Sequence, residues 1–422
     1  MDGPVTHNGH MPDGRASDDT DEIPVVVAPA GSAIVPAVAS HRAPRRHRRW
    51  PWVTLATVVL VLALVAAGGL WFVSGLIGSG ARVARADEGY PVRITAALGT
   101  TITYLGPTAG WTDQGLMGIA TVEGGYVETD QPSADGRLTT RMVTAQILPP
   151  TPAAGQLATL DGWYFPRNPR VGLGLDFDEV TYDGPLGPTP AWLIAGTSTT
   201  WVVYTHGRGA TPAEGLRIAN TVSGLGYPML LIKYRDDANA PYEDGLGGFG
   251  AQEWPDLEAA VQYAMDNGAT QVVLAGSGMG GSISLAFLAQ SALADRVVGT
   301  FLDSPVTDFG QVVEGQAQDM GLPAFVTSAA MRLAAWRYRF DWTATDYAAM
   351  AAGLRRPVVI VHGTADETVP AAVSADFAEA AKPGQVSLEL VPGAGHGLSW
   401  NVDRARYESL LTDFLSRVAP TP

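Results

Sequence analysis

Residues 271–281 read QVVLAGSGMGG, an apolar run followed at once by a glycine-rich stretch. A short run of Val, Leu and Ala without a polar face is typical of a strand covered on both sides of a parallel sheet. Glycines directly after such a strand permit a sharp turn and close packing of the next segment. We therefore predict a strand at Gln271–Ala275, a tight turn at Gly276–Gly281 and a helix over about 281–293.

The same alternation of apolar runs and helical patterns extends over about residues 172–418. The other predicted strands are Phe177–Tyr182, Ala191–Ile194, Trp201–Thr205, Met229–Tyr234, Val297–Leu302, Pro357–Val361 and Val386–Val391, and the other helices cover about 212–224, 253–267, 372–382 and 406–418. Repeated β–α units indicate a mostly parallel, doubly wound sheet with helices on both faces. Residues 306–352 interrupt this rhythm with a helical pattern, and we expect a small cap there.

Residues 90–165 have a different pattern. Short apolar runs at Val92–Ala96, Thr100–Tyr104, Met117–Val122 and Arg141–Ile147 are separated by Gly, Pro and Asp. Such spacing is typical of strands joined by turns, so we predict a small all-β module. No grouping of His and carboxylates suggests a metal site.

The beginning of the chain predicts a tail and a membrane anchor. Residues 1–49 lack hydrophobic periodicity and are expected to be a disordered cytoplasmic tail. Residues 52–77 are uncharged and apolar, and at about 1.5 Å per residue they are long enough to cross a hydrocarbon core of roughly 30 Å. Arginines at 45, 46, 48 and 49 precede this run, so the positive-inside rule predicts a single-pass protein with its C-terminal domains extracytoplasmic. A cleaved signal peptide, with Ala84-Arg85-Ala86 as the cleavage motif, is the alternative.

Composition excludes several classes of function. The formal net charge is −15, which disfavours nucleic acid as a partner because phosphate binding needs clustered positive charge. The absence of cysteine excludes disulfides, thiolate catalysis and cysteine-ligated zinc. The oligomeric state is left open by the sequence.

Four short segments with candidate site residues directly follow predicted strands. They are Thr205–Gly209, Gly276–Gly281, His362–Asp366 and Pro392–His396. Because the carboxyl ends of parallel strands meet at one edge of an open sheet, these segments are expected to form one site.

Together these segments resemble the α/β-hydrolase superfamily, in particular its bacterial esterase and serine-peptidase-like branches. The resemblance covers about 172–418 and implies hydrolysis of a carboxylic ester, thioester or amide, with no metal or organic cofactor. Family members carry the nucleophile, the acid and the histidine in that chain order, and positions 278, 366 and 396 follow it.

The resemblance also implies a role for each residue. His396 would be the general base, and Asp366 would orient it and stabilise its cationic form. The backbone N–H groups of Arg208 and Met279 would form the oxyanion hole, the second at a helix N-terminus where the dipole favours negative charge.

The sequence departs from the family at the nucleophile. The family pattern is G-x-S-x-G, whereas Gly276-Ser277-Gly278-Met279-Gly280 has its serine one place early. The nucleophile position therefore holds Gly278. Since alternate residues of a strand point to opposite faces, the Ser277 side chain is expected to point away from His396.

Three hypotheses follow from this departure. The domain is a pseudoenzyme that keeps a pocket for a small-molecule or peptide acyl ligand; or a water activated by His396 and Asp366 replaces the covalent nucleophile; or the turn is shifted and Ser277 is the alternative nucleophile. The first is the preferred interpretation, and the sequence leaves all three open.

Overall fold

The computed structural model describes residues 50–82, 89–105, 114–135 and 138–420. By contacts the chain divides into Met1–Val59 and Leu60–Pro422, and the second unit contains the sheets and the site. The expected tail at 1–49, with its arginine cluster, and the Ala84–Ala86 motif lie outside the described residues.

The first described element is helix α1, Trp50–Ala81, which contains the apolar run predicted at 52–77. It is the one helix in the described part of the chain that is long and apolar enough to cross a membrane. Residues 50–69 are exposed, whereas Ser74, Gly78 and Ala81 in the last turns are buried. The two ends of α1 therefore have different surroundings.

Six antiparallel strands between Val92 and Asp161 form a closed barrel, in the order β1-β2-β5-β4-β3-β6. Their bounds are Val92–Leu98, Thr101–Leu105, Met117–Thr121, Tyr126–Asp135, Leu138–Leu148 and Leu157–Asp161. Two of them, β4 and β6, were not predicted, because β4 is mostly polar and contains Pro132 while β6 is short. Closure of the barrel lets such weakly patterned segments pair on both sides.

Eight strands form the second sheet, in the order β14-β13-β12-β11-β9-β10-β8-β7. They are β7 Asp178–Gly184, β8 Gly187–Ile194, β9 Thr200–Thr205, β10 Met229–Ile232, β11 Gln271–Ser277, β12 Val297–Asp303, β13 Val358–Gly363 and β14 Val386–Val391. Strands β9 to β14 are parallel to one another. Strands β8 and β7 extend the sheet beyond β10 by antiparallel pairing. Each predicted strand overlaps one of these.

Helices cover both faces of this sheet, as α/β architecture requires. The helices of this part of the chain, including those outside the two faces, are α2 Pro169–Leu173, α3 Leu216–Gly224, α4 Trp254–Asp266, α5 Met279–Gln290, α6 Phe309–Asp319, α7 Ala324–Tyr338, α8 Ala348–Ala351, α9 Ala371–Ala380, α10 Ser399–Val402 and α11 Arg404–Val418. Short 3-10 helices occur at Pro212–Gly215, Ala294–Arg296 and Trp342–Thr345.

Helix α5 begins at Met279, two residues before the predicted start at 281. Gly280 and Gly281, which read as turn residues, lie inside the helix. A Cβ atom at Gly280 would lie 2.0 Å from the Thr205 carbonyl oxygen, and one at Gly281 would lie 2.6 Å from the Pro305 side chain. Close packing on β9 and on the loop after β12 therefore requires glycine in this helix and overrides its local turn preference.

Helices α6, α7 and α8 occupy the stretch where the sequence predicted a cap. An aromatic cluster packs this region, with Phe309 5.3 Å from Phe340 and Trp342 4.7 Å from Phe340 between ring centroids. Helix α6 also faces the strand ends, because Phe309 and Val312 belong to the core that includes Met279. The cap thus covers the edge of the sheet where the predicted site segments meet.

Candidate functional site

The turn between β11 and α5 places Gly278 at the N-terminus of the helix, with φ 50° and ψ −117°. A residue with a side chain adopts such a conformation only with strain, whereas glycine adopts it freely. The Gly278 N–H donates to the Asp303 carbonyl at 2.9 Å, which fixes the turn against the end of β12. The sharp turn is therefore retained without a side chain at its apex.

Gly278 faces His396. A Cβ atom built on Gly278 would lie 3.2 Å from Nε2 of His396 and 3.8 Å from Cα of Gly207. A side chain at this position would therefore project between the imidazole and the loop after β9. This space holds only the hydrogen of a glycine.

The loops after β13 and β14 bring Asp366 and His396 together. Nδ1 of His396 lies 2.7 Å from Oδ2 of Asp366. Oδ1 of Asp366 accepts hydrogen bonds from the backbone N–H groups of Thr368 and Val369 at 2.9 and 2.8 Å. Because Nδ1 donates to the carboxylate, Nε2 of the neutral ring is the free acceptor, and it is the atom that faces Gly278.

The environment of Asp366 favours its charged form. Burial alone would raise the pKa of Asp366, but hydrogen bonds from His362 and His396 outweigh that effect and hold the pKa well below its ordinary value. His362 is itself fully buried, with Nδ1 2.8 Å from the Ser374 hydroxyl. The buried His362 ring therefore helps to hold the loop that carries Asp366 in place.

The loop after β9 lies opposite the turn. His206 is buried, and its Nε2 lies 2.9 Å from Oδ2 of Asp237, which ties this loop to the one after β10. The Gly207 N–H donates to Oε2 of Glu214 at 2.7 Å. Within the described residues, neither the Arg208 N–H nor the Met279 N–H has a backbone acceptor. These two groups, predicted as the oxyanion hole, are thus free to bind a ligand oxygen.

Ser277, the other candidate nucleophile, is the last residue of β11 and is buried. Its Oγ lies 3.4 Å from the position of a Cβ atom on Gly397, beside the backbone that follows the histidine. Among the residues that the structure describes, this hydroxyl makes no hydrogen bond to the His396 ring. The structure therefore brings the ring and Gly278 together, but it does not join Ser277 to the ring by a hydrogen bond.

Asp303 lies under the site, paired with Ser277 across the β11–β12 register. Burial raises the pKa of its carboxyl, although Arg217 acts in the opposite direction. Oδ1 accepts a hydrogen bond from the Ser304 hydroxyl at 3.2 Å, and the Ser304 hydroxyl also accepts the Gly397 N–H at 3.2 Å. The Asp303 side chain thus supports the loop of His396 indirectly.

His396, Arg208 and Met279 line a cavity of about 580 Å³, within the range of about 300–1,000 Å³ of small-molecule sites. Sequence reasoning missed several contributors to its wall, among them residues 159–163 at the end of the barrel, Glu214 and the end of α1. The only sequence feature that could have indicated Glu214 is its position in the first turn after the Thr205–Gly209 segment. The only sequence feature that could have indicated the end of α1 is the length of its apolar run, which exceeds the length needed to cross a bilayer. In the described part of the chain, no grouping of His, Asp or Glu could hold a metal ion.

Part of the chain is similar to a known protein family. Residues 220–420 match the prolyl oligopeptidase family. No curated protein matches the chain significantly. Similar solved structures include an esterase of Pyrococcus furiosus, 18% identical over 60% of this chain and 95% of its own with a TM-score of 0.49. Two others are an esterase of Rhodococcus sp., 17% identical over 57% and 99% with a TM-score of 0.41, and an α/β-hydrolase of Penicillium sp., 18% identical over 58% and 100% with a TM-score of 0.46.

Three features agree: a mostly parallel sheet of eight strands, site segments at the carboxyl ends of β9, β11, β13 and β14, and the match over residues 220–420. The chain carries positions 278, 366 and 396 in the order that these enzymes use for nucleophile, acid and histidine. Within residues 220–420, the chain is thus similar to the prolyl oligopeptidase family, and the domain has the α/β-hydrolase fold.

Proposed function

We propose that this protein is a membrane-anchored member of the α/β-hydrolase superfamily whose pocket binds a carboxylic ester, thioester or amide without attacking it covalently. The observation that carries this proposal is position 278. Its backbone has the strained conformation of the sharp turn, and it faces Nε2 of His396 at 3.2 Å from the Cβ position, yet it is glycine. The pocket therefore retains the base, the acid and two free N–H groups but has no side-chain oxygen at position 278, although Ser277 also lines the cavity.

The anchor in this proposal is α1. Its exposed residues 50–69 extend for about 30 Å at 1.5 Å per residue, which equals the thickness of a hydrocarbon core. Trp50 and Trp52 at one end and Trp71 at the other suit the two interfaces. The arginines before the helix orient the sheet-bearing domain to the extracytoplasmic side. Detection of α1 in the mature, membrane-extracted chain by mass spectrometry tests this against cleavage near Ala84–Ala86.

A second candidate function is slow hydrolysis by water. Replacing a serine by glycine leaves space beside Nε2 of His396, inside the cavity. A water held there would give its proton to Nε2 and attack the acyl carbon, while the Arg208 and Met279 N–H groups stabilise the oxyanion. Turnover of a soluble short-chain ester that disappears in His396→Ala would support this reading, and equal rates in both proteins would exclude it.

The decisive experiment restores the missing hydroxyl. Gly278→Ser places an oxygen beside Nε2, so a fluorophosphonate probe, which labels activated serines, should react at least about a hundredfold faster than with the wild-type protein. The φ of Gly278 predicts a cost of roughly 1–3 kcal/mol in the free energy of unfolding. Because the Cβ contact of 3.2 Å is tight, His396 must move by a few tenths of an ångström, which its half-exposed side chain permits.

Ser277→Ala is the matched control. It removes the other hydroxyl, so labelling of the wild type that disappears in Ser277→Ala would identify Ser277 as a nucleophile and contradict the proposal. Wild-type protein that stays unlabelled, together with labelled Gly278→Ser, supports it. A folded Gly278→Ser protein that stays unlabelled would show that His396 is not positioned to activate a hydroxyl at position 278.

A further inference from the structure

The cavity at His396 is lined by more apolar than polar surface. Its walls include Leu76 and Ile77 of α1 and Val312, Val313, Met320 and Leu322 of the cap. Its polar groups include His396 and the loop after β9, and also Asp161 of the barrel and Gln316 of the cap. A ligand that fits this lining is mostly apolar and carries a few polar groups such as a carbonyl.

The end of α1 is a fixed part of this wall. The ring of Tyr338 lies so close to Gly78 that a Cβ atom there would be 2.1 Å from it. Arg337 donates to the Trp71 carbonyl at 2.8 Å, and its guanidinium lies 3.8 Å from the Trp71 ring centroid. The Gly247 N–H donates to the Ala81 carbonyl at 2.6 Å. The helix end that emerges from the proposed membrane segment is thus built into the domain.

The cavity reaches the surface where α1 meets the cap. Leu76 and Met320 both line the cavity and are themselves 42% and 61% exposed. On the same cap, Phe325 and Trp336 are 77% and 74% exposed, and Trp336 precedes the Arg337 that contacts Trp71. Large apolar side chains so exposed to water are unfavourable and are typical of surfaces that meet a partner or a membrane. Since residues 50–69 fill a hydrocarbon core, this rim lies at the interface of the outer leaflet.

We infer that the ligand of this site is a long-chain acyl amphiphile of the membrane, which enters from the outer leaflet between α1 and the cap and places its acyl carbonyl near His396. The inference rests on the proposed function, because it assumes both the anchor and a carbonyl-binding pocket. An acyl chain that moves from lipid into the cavity exchanges one apolar environment for another, whereas a water-soluble ligand would have to pass the exposed apolar rim. The rim and the pocket wall therefore select ligands that already reside in the bilayer.

Photocrosslinking tests this inference on the full chain. The protein is reconstituted into phosphatidylcholine vesicles that contain a phosphatidylcholine with a diazirine in its acyl chain, and crosslinked peptides are mapped by mass spectrometry. We expect crosslinks in the cavity-lining stretch 312–322 in addition to the lipid-facing residues 50–69. Crosslinks confined to 50–69 would overturn the inference.

A pair of glycines on α1 supplies the variant and its control. Gly80 lines the cavity, and a Cβ atom there meets nothing within 4 Å, so Gly80→Phe should fill the cavity without disturbing the helix. Gly69 has the same free space but does not line the cavity, so Gly69→Phe is the control. Gly80→Phe should reduce crosslinking at 312–322 at least fivefold, and Gly69→Phe should leave it unchanged. Equal crosslinking in both variants would refute the inference.

A second variant protects the test against a folding defect. Met320→Glu places a carboxylate at the exposed rim, where it remains hydrated, and should also reduce crosslinking at 312–322 several-fold. If Gly278→Ser reacts with the soluble probe while neither rim variant changes lipid crosslinking, the proposed site stands and the lipid inference fails. If lipid crosslinks the cavity while Gly278→Ser stays unlabelled, the lipid inference stands and the proposed site fails.

Discussion

The two halves of the candidate site differ in completeness. The loops after β13 and β14 place Nδ1 of His396 2.7 Å from Asp366, whose other oxygen accepts two backbone N–H groups. The turn after β11 has the backbone geometry that suits a nucleophile, with φ 50° at Gly278, but position 278 has no side-chain oxygen. One half is a hydrogen-bonded acid–base pair, and the other is a sharp turn with glycine at its apex.

This difference teaches that turn geometry and nucleophile are separable. The packing of Gly280 on the Thr205 carbonyl and the hydrogen bond from Gly278 to Asp303 hold the turn whether or not a hydroxyl is present. Glycine at the apex also removes the strain that a serine would carry there, so the loss of the hydroxyl stabilises the turn rather than disrupting it. The conformation of the turn is therefore set by packing and backbone hydrogen bonding, not by the side chain at position 278.

The largest effect is expected when Asp366 is substituted in a protein that already carries a serine at position 278. In a Gly278→Ser background, Asp366→Asn should slow fluorophosphonate labelling by roughly 10³–10⁴-fold, because the imidazole loses both its orientation and the stabilisation of its cation. The measurement is the labelling rate constant. Asp376→Asn, an exposed carboxylate on α9, is the control and should leave the rate unchanged. Comparable rates in the two double variants would mean that Asp366 does not support the base.

A smaller effect is expected from Gly280→Ala, which tests how tightly the turn is packed. Its Cβ atom would meet the Thr205 carbonyl oxygen at 2.0 Å, so β9 and α5 must separate. We expect a loss of about 1–3 kcal/mol in the free energy of unfolding, measured by urea denaturation. Gly224→Ala is the control, since nothing lies within 4 Å of its Cβ position. It should be neutral or slightly stabilising; an equal loss in both variants would show that the close approach on β9 is not what constrains the turn.

The smallest effect concerns the pH dependence of stability. The pKa of Asp366 is lower in the folded protein than in the unfolded chain, where it is about 3.9. The carboxylate therefore contributes stability that is fully present above about pH 4 and is lost as the pH falls through the lower folded pKa. The difference in unfolding free energy between wild type and Asp366→Asn should thus shrink as the pH is lowered from 6 towards 3. A difference that stays constant would show that the loop does not favour the charged form.

Much of the fold could be predicted because its pattern is local. The continuous Val, Ile and Leu runs of the central strands identify a parallel sheet, and each predicted strand overlaps an observed one. Strands β4 and β6 were not predictable, since closure of the barrel rather than their own apolar pattern makes them strands. The start of α5 was misjudged because Gly280 and Gly281 signal a turn, while packing on β9 forces them into the helix.

The site shows the same division. The segments after predicted strands and their resemblance to the α/β-hydrolases singled out positions 278, 366 and 396, and the structure brings these positions together. Glu214 and the end of α1 have no motif, and only the folded chain places them on the cavity wall.

The sequence by itself determined the alternation of strands and helices, the apolar helix and the glycine at the apex of the turn, because these depend on residue type and local spacing. Only the tertiary structure decided that the empty position of Gly278 faces Nε2 of His396 and that the last turns of α1 line the pocket. Those relations join segments far apart in the chain, and their distances follow from how the sheet, the cap and α1 pack, which no local pattern encodes.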